Sequence, residues 1–287
     1  MLSFFEPIKK ELAFVEKETI KRLRNSVSLI SDIGIHISKS GGKRLRPALV
    51  LLSSKLCGYK GDRSIHLACA VEFIHTATLL HDDVVDEADI RRGTPSANSK
   101  WGSKASILVG DYLFSGSFSI MVSDKDLRIM ESLAKASVKM AEGEILQLSK
   151  HYDTTISKEC YIDIITKKTA ELISSCCKTG AILANVDEEK TEALASYGKN
   201  IGIAFQLVDD TLDFIANREK LGKPLGNDLR EGKVTMPLLR AIEGESKENR
   251  DRIKQILCLP GLDGEGLSFI FDLIRRHKGV EYSLDMA

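Results

Sequence analysis

Apolar residues return every three or four positions along nearly the whole chain, in stretches such as "LAFVEKETIKRL", "ILVGDYLFSGSFSIM" and "LASYGKNIGIAFQLVDDTLDFI". That period is the mark of amphipathic helices. It predicts helices near 3–24, 26–39, 46–57, 63–87, 104–122, 125–149, 158–184, 188–216, 234–243, 247–257 and 264–277. The breaks between them carry turn chemistry: "SGGKR", "CGYKGD", "RRGTPSANSKWG", "NREKLGKPLGNDLREGK" and "LPGLDGEG". Strand alternation flanked by hairpin turns is missing, and no composition shift marks a linker. The expected architecture is one all-α domain, a helical bundle over residues 1–287. Ser3 and Glu6 stand in capping-box spacing before Pro7, so the first helix is expected to start there.

Charge narrows the function. Lys plus Arg number 41 and Asp plus Glu number 41, for a net charge of zero. That balance argues against a general binder of nucleic acid or acidic membrane. The six cysteines show no C-x-x-C spacing and read as reduced thiols of a cytoplasmic protein. The N-terminus carries acids early and lacks an unbroken apolar core, so it does not read as a signal peptide. No apolar run is expected to span a bilayer.

One motif occurs twice. "LLHDDVVD" (79–86) returns as "QLVDDTLD" (206–213). In each copy the first and fifth positions are aspartate, and residues i and i+4 share a helix face about 6 Å apart. His75 and Thr78 lie on the stripe of Asp82, and Gln206 on that of Asp209, Asp210 and Asp213. Carboxylates crowded in this way repel one another unless a cation offsets them. Clustered hard oxygen ligands suit Mg²⁺, which binds few carboxylates, keeps waters and bridges to phosphates. Two solvated acidic helix ends are the plain alternative. A Ca²⁺ loop would need a D-x-D-x-D-G pattern, and neither copy has one.

The chain also carries cations at its breaks. "GGKRLRP" sets Lys43, Arg44 and Arg46 beside two glycines at an expected helix start, where unpaired N–H groups and the dipole favour anions. Arg91 and Arg92 follow the first acid cluster, Lys168 and Thr169 sit in "KKTAEL", and Lys223 and Lys233 follow the second cluster. Neither a P-loop nor a dinucleotide fingerprint is present.

Taken together, "GGKRLRP", "EFIHTATLLHDDVVDEADIRRG", "LVGDYLF", "AEGEILQL", "KKTAEL", "AFQLVDDTLD" and "LGKPLGNDLREGKVTMPLL", in that order, resemble the trans-polyprenyl diphosphate synthase family. The resemblance runs from about residue 30 to residue 240 and is strongest to the long-chain, octaprenyl-type bacterial members. It implies an isoprenoid-synthase fold, all-α around a deep central cavity, usually as a homodimer. It implies that Asp82, Asp86, Asp209 and Asp213 hold Mg²⁺ against an allylic diphosphate. By the same resemblance Arg91, Lys168, Thr169, Gln206 and Lys223 contact that diphosphate. Lys43, Arg46, His75 and Arg92 then hold isopentenyl diphosphate. Asp83 and Asp210 point about 100° away from their neighbours and rank second.

The implied reaction is loss of diphosphate, attack by the isopentenyl double bond on the allylic cation, and loss of a proton. No protein nucleophile is needed. In this family a bulky aromatic near position 77 closes the cavity early, whereas here Ala77 and Thr78 are small, with Ile74 a turn below. A product longer than geranylgeranyl diphosphate, of the kind used for quinone side chains, is therefore expected, with at most transient membrane contact on release. Deeper floor candidates are Phe114, Phe118 and Met121. Long-chain members usually continue beyond "FDLIRRHKGVEYSLDMA", so the C-terminus reads as short. The competing readings are a farnesyl or geranylgeranyl diphosphate synthase, a terpene cyclase, a non-catalytic regulatory subunit of a heteromeric synthase, and a purely structural helical protein.

Overall fold

The apolar stripes become helices almost everywhere that the computed structural model describes the chain, which is residues 3–215, 225–258 and 264–287. After a 3-10 segment at Ser3–Ile8, α1 runs Lys9–Leu23, α2 Ser28–Lys39, α3 Leu45–Leu56 and α4 Arg63–Val85. A small antiparallel hairpin pairs β1 (Ile90–Arg91) with β2 (Thr94–Pro95). Next come α5 (Ala97–Trp101), α6 (Ser103–Asp124), α7 (Leu127–Ser149) and α8 (Lys158–Ile165). A π-helical stretch at Thr166–Ala170 leads into α9 (Glu171–Leu183), followed by α10 (Glu188–Ile215). The remaining helices are α11 (Asn227–Arg230), α12 (Met236–Glu243), α13 (Lys247–Cys258), α14 (Gly264–Arg276) and α15 (Gly279–Met286).

The fold is all-α, with local departures from the expected pattern. The first helix does not start on a capping box. Pro7 lies in the 3-10 turn, α1 has Ile8 at its N-cap, and Glu6 pairs with Lys9. The hairpin was not foreseen because its turn is Arg92-Gly93, with φ of +51° and +76°. Positive φ at both central residues suits the twist of a two-residue hairpin, but Arg-Gly is not its usual sequence signal. The helices α5 and α11 are too short to show a period, and α15 was not among the expected helices.

The chain divides into two compact units, residues 1–138 with 172–199, and residues 139–171 with 200–287. In the first unit α4 is the central rod, packed by α1, α3 and α6. Leu67, Ala68, Cys69, Ala70, Val71, Phe73, Ile74, Ala77 and Leu80 are all buried, on every side of it. A helix apolar all round belongs inside a domain. In the second unit the core gathers Tyr161, Ile164, Leu207, Phe214, Met236, Leu238, Ile253, Ile270 and Leu273.

One expectation about membranes is corrected. Helix α6 is long and apolar enough to cross a bilayer by length and composition alone. It carries Asp111 mid-helix and buries Val109, Leu113, Ile120 and Met121 within the first unit. A core helix of a water-soluble protein has this same composition. The six cysteines are free thiols, and burial pushes that of Cys69 up to about 11.

Candidate active site

In the first unit the site starts at the end of α4. Asp86 is its C-cap, its N–H bonding to the Asp82 carbonyl at 2.8 Å. The C-terminal end of a helix is the negative end of its dipole, so three aspartates in this last turn oppose local stability. They need cations. Asp83, only 1% exposed, faces inward and receives Arg91, whose Nε donates to its two oxygens at 2.7 and 2.8 Å. Asp82 and Asp86 are only partly buried.

The "GGKRLRP" segment is the lead-in to α3. Arg44 occupies its N-cap in the left-handed region (φ +50°), and the first turn holds no acid. Leu45 and Arg46 therefore offer N–H groups at the positive end of the dipole, where an anion binds well. Exposed Lys43 precedes them. Arg46 Nη1 lies 3.2 Å from His75 Nε2. A guanidinium can only donate, so Nε2 accepts and His75 is the neutral Nδ1–H tautomer. Burial, with Arg46, Arg92, Arg91 and Arg44 nearby, holds this imidazole well below its ordinary pKa. Arg92 reaches back to donate to the Gly41 carbonyl. Arg46, His75 and Arg92 are thus brought together around one loop. Below the acids on α4, Ala77 and Ile74 are buried and the Thr78 hydroxyl donates to the His75 carbonyl at 2.8 Å.

The second unit places its residues differently. Lys168 lies in the π-helical stretch, and π turns recur at functional sites. Its Nζ is 2.5 Å from Glu144 and donates to the Gln147 side-chain Oε1 at 2.7 Å. Gly143 makes room for the backbone, since a Cβ there would come 2.6 Å from the Lys168 main-chain nitrogen. Next to it, Thr169 donates to Gln206 at 2.7 Å, and Gln206 donates to Asp210 at 2.6 Å. The Tyr161 hydroxyl donates to the other Asp210 oxygen at 2.6 Å. Asp210 is therefore the inward counterpart of Asp83. Asp213 accepts the N–H groups of Asn227 and Asp228 at 3.1 Å each, and Asp209 is exposed. Lys223 lies outside the described residues.

This second cluster carries excess negative charge. Burial pushes the Asp210 carboxyl up to about 6, against the hydrogen bonds from Tyr161 and Gln206. Burial, then Asp210 and Asp213, drives Asp228 well above the carboxylate range. Among the described residues, no group of three or more His, Cys, Asp or Glu side chains is placed to hold a metal ion.

Sequence reasoning passed over four residues here: Glu72, Glu144, Tyr161 and Asp228. Glu72 lies one helical turn from His75, and Glu144 sits within "AEGEILQL". Both stretches had been singled out, yet neither carboxylate had. Asp228 stands in the glycine-flanked "LGNDLREGK", where a third acid was legible. Nothing near Tyr161 in sequence announces its role.

The profile of the family described as Polyprenyl synthetase matches residues 27–265. The octaprenyl diphosphate synthase of Escherichia coli K12 is 42% identical over 245 residues, 85% of this chain and 76% of that one. The heptaprenyl diphosphate synthase component 2 of Geobacillus stearothermophilus is 36% identical over 275 residues, 95% of this chain and 84% of that one. The polyprenyl synthase of Caulobacter crescentus CB15, whose crystal structure contains calcium and isoprenyl diphosphate, superposes with a TM-score of 0.94. It is 40% identical, with 98% of this chain and 86% of that chain covered.

Proposed function

The chain belongs to the polyprenyl synthetase family and is a prenyltransferase, and from that premise we propose that it extends an allylic diphosphate with isopentenyl diphosphate to a long-chain polyprenyl diphosphate. The observation that carries this reading is the coexistence of both aspartate motifs with an anion cradle at α3. A terpene cyclase has no second diphosphate to place at Lys43, Arg46 and His75. A regulatory subunit or a purely structural protein has no use for two intact acid clusters.

In this reading Asp82 and Asp86, and Asp209 with Asp213, would hold Mg²⁺ against the allylic diphosphate. When bound, Mg²⁺ supplies Lewis-acid neutralisation of the charge that collects on the leaving diphosphate. Arg91, Lys168, Thr169, Gln206 and Lys223 hold the same group by charge-assisted hydrogen bonds, which strengthen as its carbon–oxygen bond breaks. Lys43, Arg46, His75 and Arg92 orient isopentenyl diphosphate so that its double bond attacks the allylic cation. A carbon–carbon bond forms, and the proton lost from the isopentenyl unit passes to the released diphosphate. Neutral His75 suits a hydrogen-bonding role rather than a cationic one. The crystal structure of the Caulobacter relative, with a divalent cation and an isoprenyl diphosphate, supports the same chemistry.

Small, buried Ala77 below Asp82 supports the long product, used for a quinone side chain, with Thr78 and Ile74 shaping the same wall. Exposed Leu127, Val138, Ile145 and Leu148 recur along α7 at helical spacing, an apolar stripe that supports a homodimer. The assignment is to one synthase domain in the cytoplasm, touching membrane at most transiently to release product. The test is incubation with Mg²⁺, farnesyl diphosphate and isopentenyl diphosphate, then chromatography of dephosphorylated products. Extension beyond twenty carbons is expected. A product that stops at geranylgeranyl diphosphate, or extension only when geranyl diphosphate is the starter, establishes the short-chain reading instead, and no extension from either starter removes the synthase reading.

A further inference from the structure

The Glu72–Arg44 pair stands next to the anion cradle but has no part in the reaction as assigned. Glu72 is 7% exposed, in the middle of α4. Arg44 Nη1 donates to its Oε1 at 2.5 Å, and Nη2 donates to the Ser38 carbonyl at 2.6 Å. Glu16 lies 3.7 Å from Arg44 Nε. The guanidinium is thus tied to α4 and to the end of α2 at once, with α1 close by.

The backbone explains why such a tether is needed. Arg44 is a non-glycine residue at φ +50°, ψ +34°, a conformation that costs energy and persists only where the surroundings enforce it. This residue turns the chain into α3. Lys43 precedes it and Arg46 follows two residues later, so the side-chain anchor at Arg44 sets the direction of both. Arg92 holds the same loop from its other end, at the Gly41 carbonyl. The charges agree. Arg44, Arg46, Arg91 and Arg92 all act on His75, and Glu72 is the acidic group that offsets them at Arg92.

We propose that Arg44 and Glu72 are positioning residues: their partly buried ion pair locks the left-handed turn at the head of α3 and so aims Lys43 and Arg46 at isopentenyl diphosphate. Glu72 touches no substrate. It acts through Arg44, and Arg44 through the backbone. This inference rests on the assignment of Lys43, Arg46 and His75 to isopentenyl diphosphate, so Arg46→Ala serves as the reference variant.

The experiment is steady-state kinetics on the full chain with Mg²⁺, varying isopentenyl diphosphate at saturating allylic substrate and then the reverse. Helical content and thermal unfolding are followed in parallel. Arg44→Ala and Glu72→Ala are each expected to raise the KM for isopentenyl diphosphate about tenfold, the loss of one charge-assisted bond. The allylic KM should stay within about twofold, because residues that act through one contact fail together and leave independent sites alone. The double variant should be no worse than the poorer single one, and Arg44→Lys should recover part of the loss. If Glu72→Ala fails to fold, the pair Arg44→Ala and Glu72→Gln carries the same comparison. Equal weakening of both substrates, or additive losses in the double variant, overturns the clamp while the site assignment stands. If Arg46→Ala leaves the isopentenyl KM unchanged, the assignment itself falls, and the clamp with it.

Discussion

The two aspartate motifs are near copies in sequence and opposites in charge environment. At the end of α4 the inward aspartate, Asp83, is gripped by Arg91, and Arg44, Arg46 and Arg92 crowd the neighbouring His75. In α10 the inward aspartate, Asp210, is met by a phenol and an amide, and the neighbouring Asp228 is itself pushed toward its neutral form by burial and by Asp210 and Asp213. Among the described residues, an arginine bonds the inward aspartate of the first copy directly, whereas Lys168 acts on Asp210 through its charge alone. A motif of paired acids therefore specifies two jobs. The inward aspartate of the first grips an arginine and that of the second is held by neutral donors, while in the proposed reading the outward aspartates of both would hold Mg²⁺.

The widest separation should appear between outward and inward aspartates. Asp82→Ala and Asp209→Ala are expected to cut turnover by about 10²–10³ or more, the range for losing a key electrostatic stabiliser. Their unfolding midpoints should hardly move. Chelating Mg²⁺ should abolish wild-type activity. Asp83→Ala instead strands Arg91 beside a buried gap, and breaking such a pair costs roughly 3–5 kcal/mol. Urea unfolding alongside turnover measures both. Full activity in excess chelator, or a large stability loss in Asp209→Ala, would erase the division between the two faces.

A smaller effect tests the arginine-rich side. Lys43→Ala and Arg46→Ala should weaken isopentenyl diphosphate about ten- to hundredfold. Lys168→Ala and Lys223→Ala should weaken the allylic substrate instead. Initial-rate kinetics with each substrate varied in turn separates them, and equal loss for both substrates in every variant would collapse the two-site assignment.

The sequence carried this far because the acids, the cradle and the "KKTAEL" stretch each obey a local rule: i,i+4 spacing, a glycine-led helix start, cations at breaks. The inward turn of Asp83 and Asp210 was also legible, from the 100° step of a helix. Their partners were not. Arg91 reaches Asp83 only because an unforeseen hairpin folds it back, and Tyr161 meets Asp210 from 49 residues away. The π turn at Lys168 was equally hidden, because its residues continue an ordinary helical pattern and only tertiary packing against Gly143 reveals it. The Glu72–Arg44 tether needed both a long-range contact and an unusual backbone angle.

Product length probes the buried stretch of α4 below the arginine-rich side. Ala77→Phe puts an aromatic ring one turn beneath Asp82, at a position now 1% exposed. The rim contacts should survive, so the first condensation proceeds. Overpacking at about 1–3 kcal/mol should lower the yield of long products about tenfold, with farnesyl or geranylgeranyl diphosphate taking their place. Phe118→Ala, which removes one ring of the Phe114–Phe118 edge-to-face pair, should leave length unchanged or greater. Chromatography of dephosphorylated products decides. An unchanged long product at the wild-type rate in Ala77→Phe would mean that position 77 does not line the path of the tail.

The smallest expected effect is a pH slope, and it asks whether the guanidinium crowd around His75 is real in solution. In the fold this imidazole is held well below its ordinary pKa, by burial first and then by Arg46 and Arg92. In the unfolded chain it titrates near 6.5, as a free histidine does. As pH falls below about 6.5 the unfolded state takes up a proton that the folded state refuses, so stability drops with falling pH. One such group contributes at most about 1.4 kcal/mol per pH unit. His75→Gln keeps an acceptor for Arg46 but cannot titrate. Between pH 6.5 and roughly 5 its stability should therefore fall less steeply than that of the wild type, by up to about 1 kcal/mol per pH unit. Above pH 7.5 the two slopes should coincide. Urea unfolding at half-unit pH steps measures the difference, in which other titrating groups cancel. Parallel slopes across the acid range would show that His75 accepts a proton in the fold as readily as out of it. The arginines would then be screened from it, and the fixed-cation character of the first motif would be lost with them.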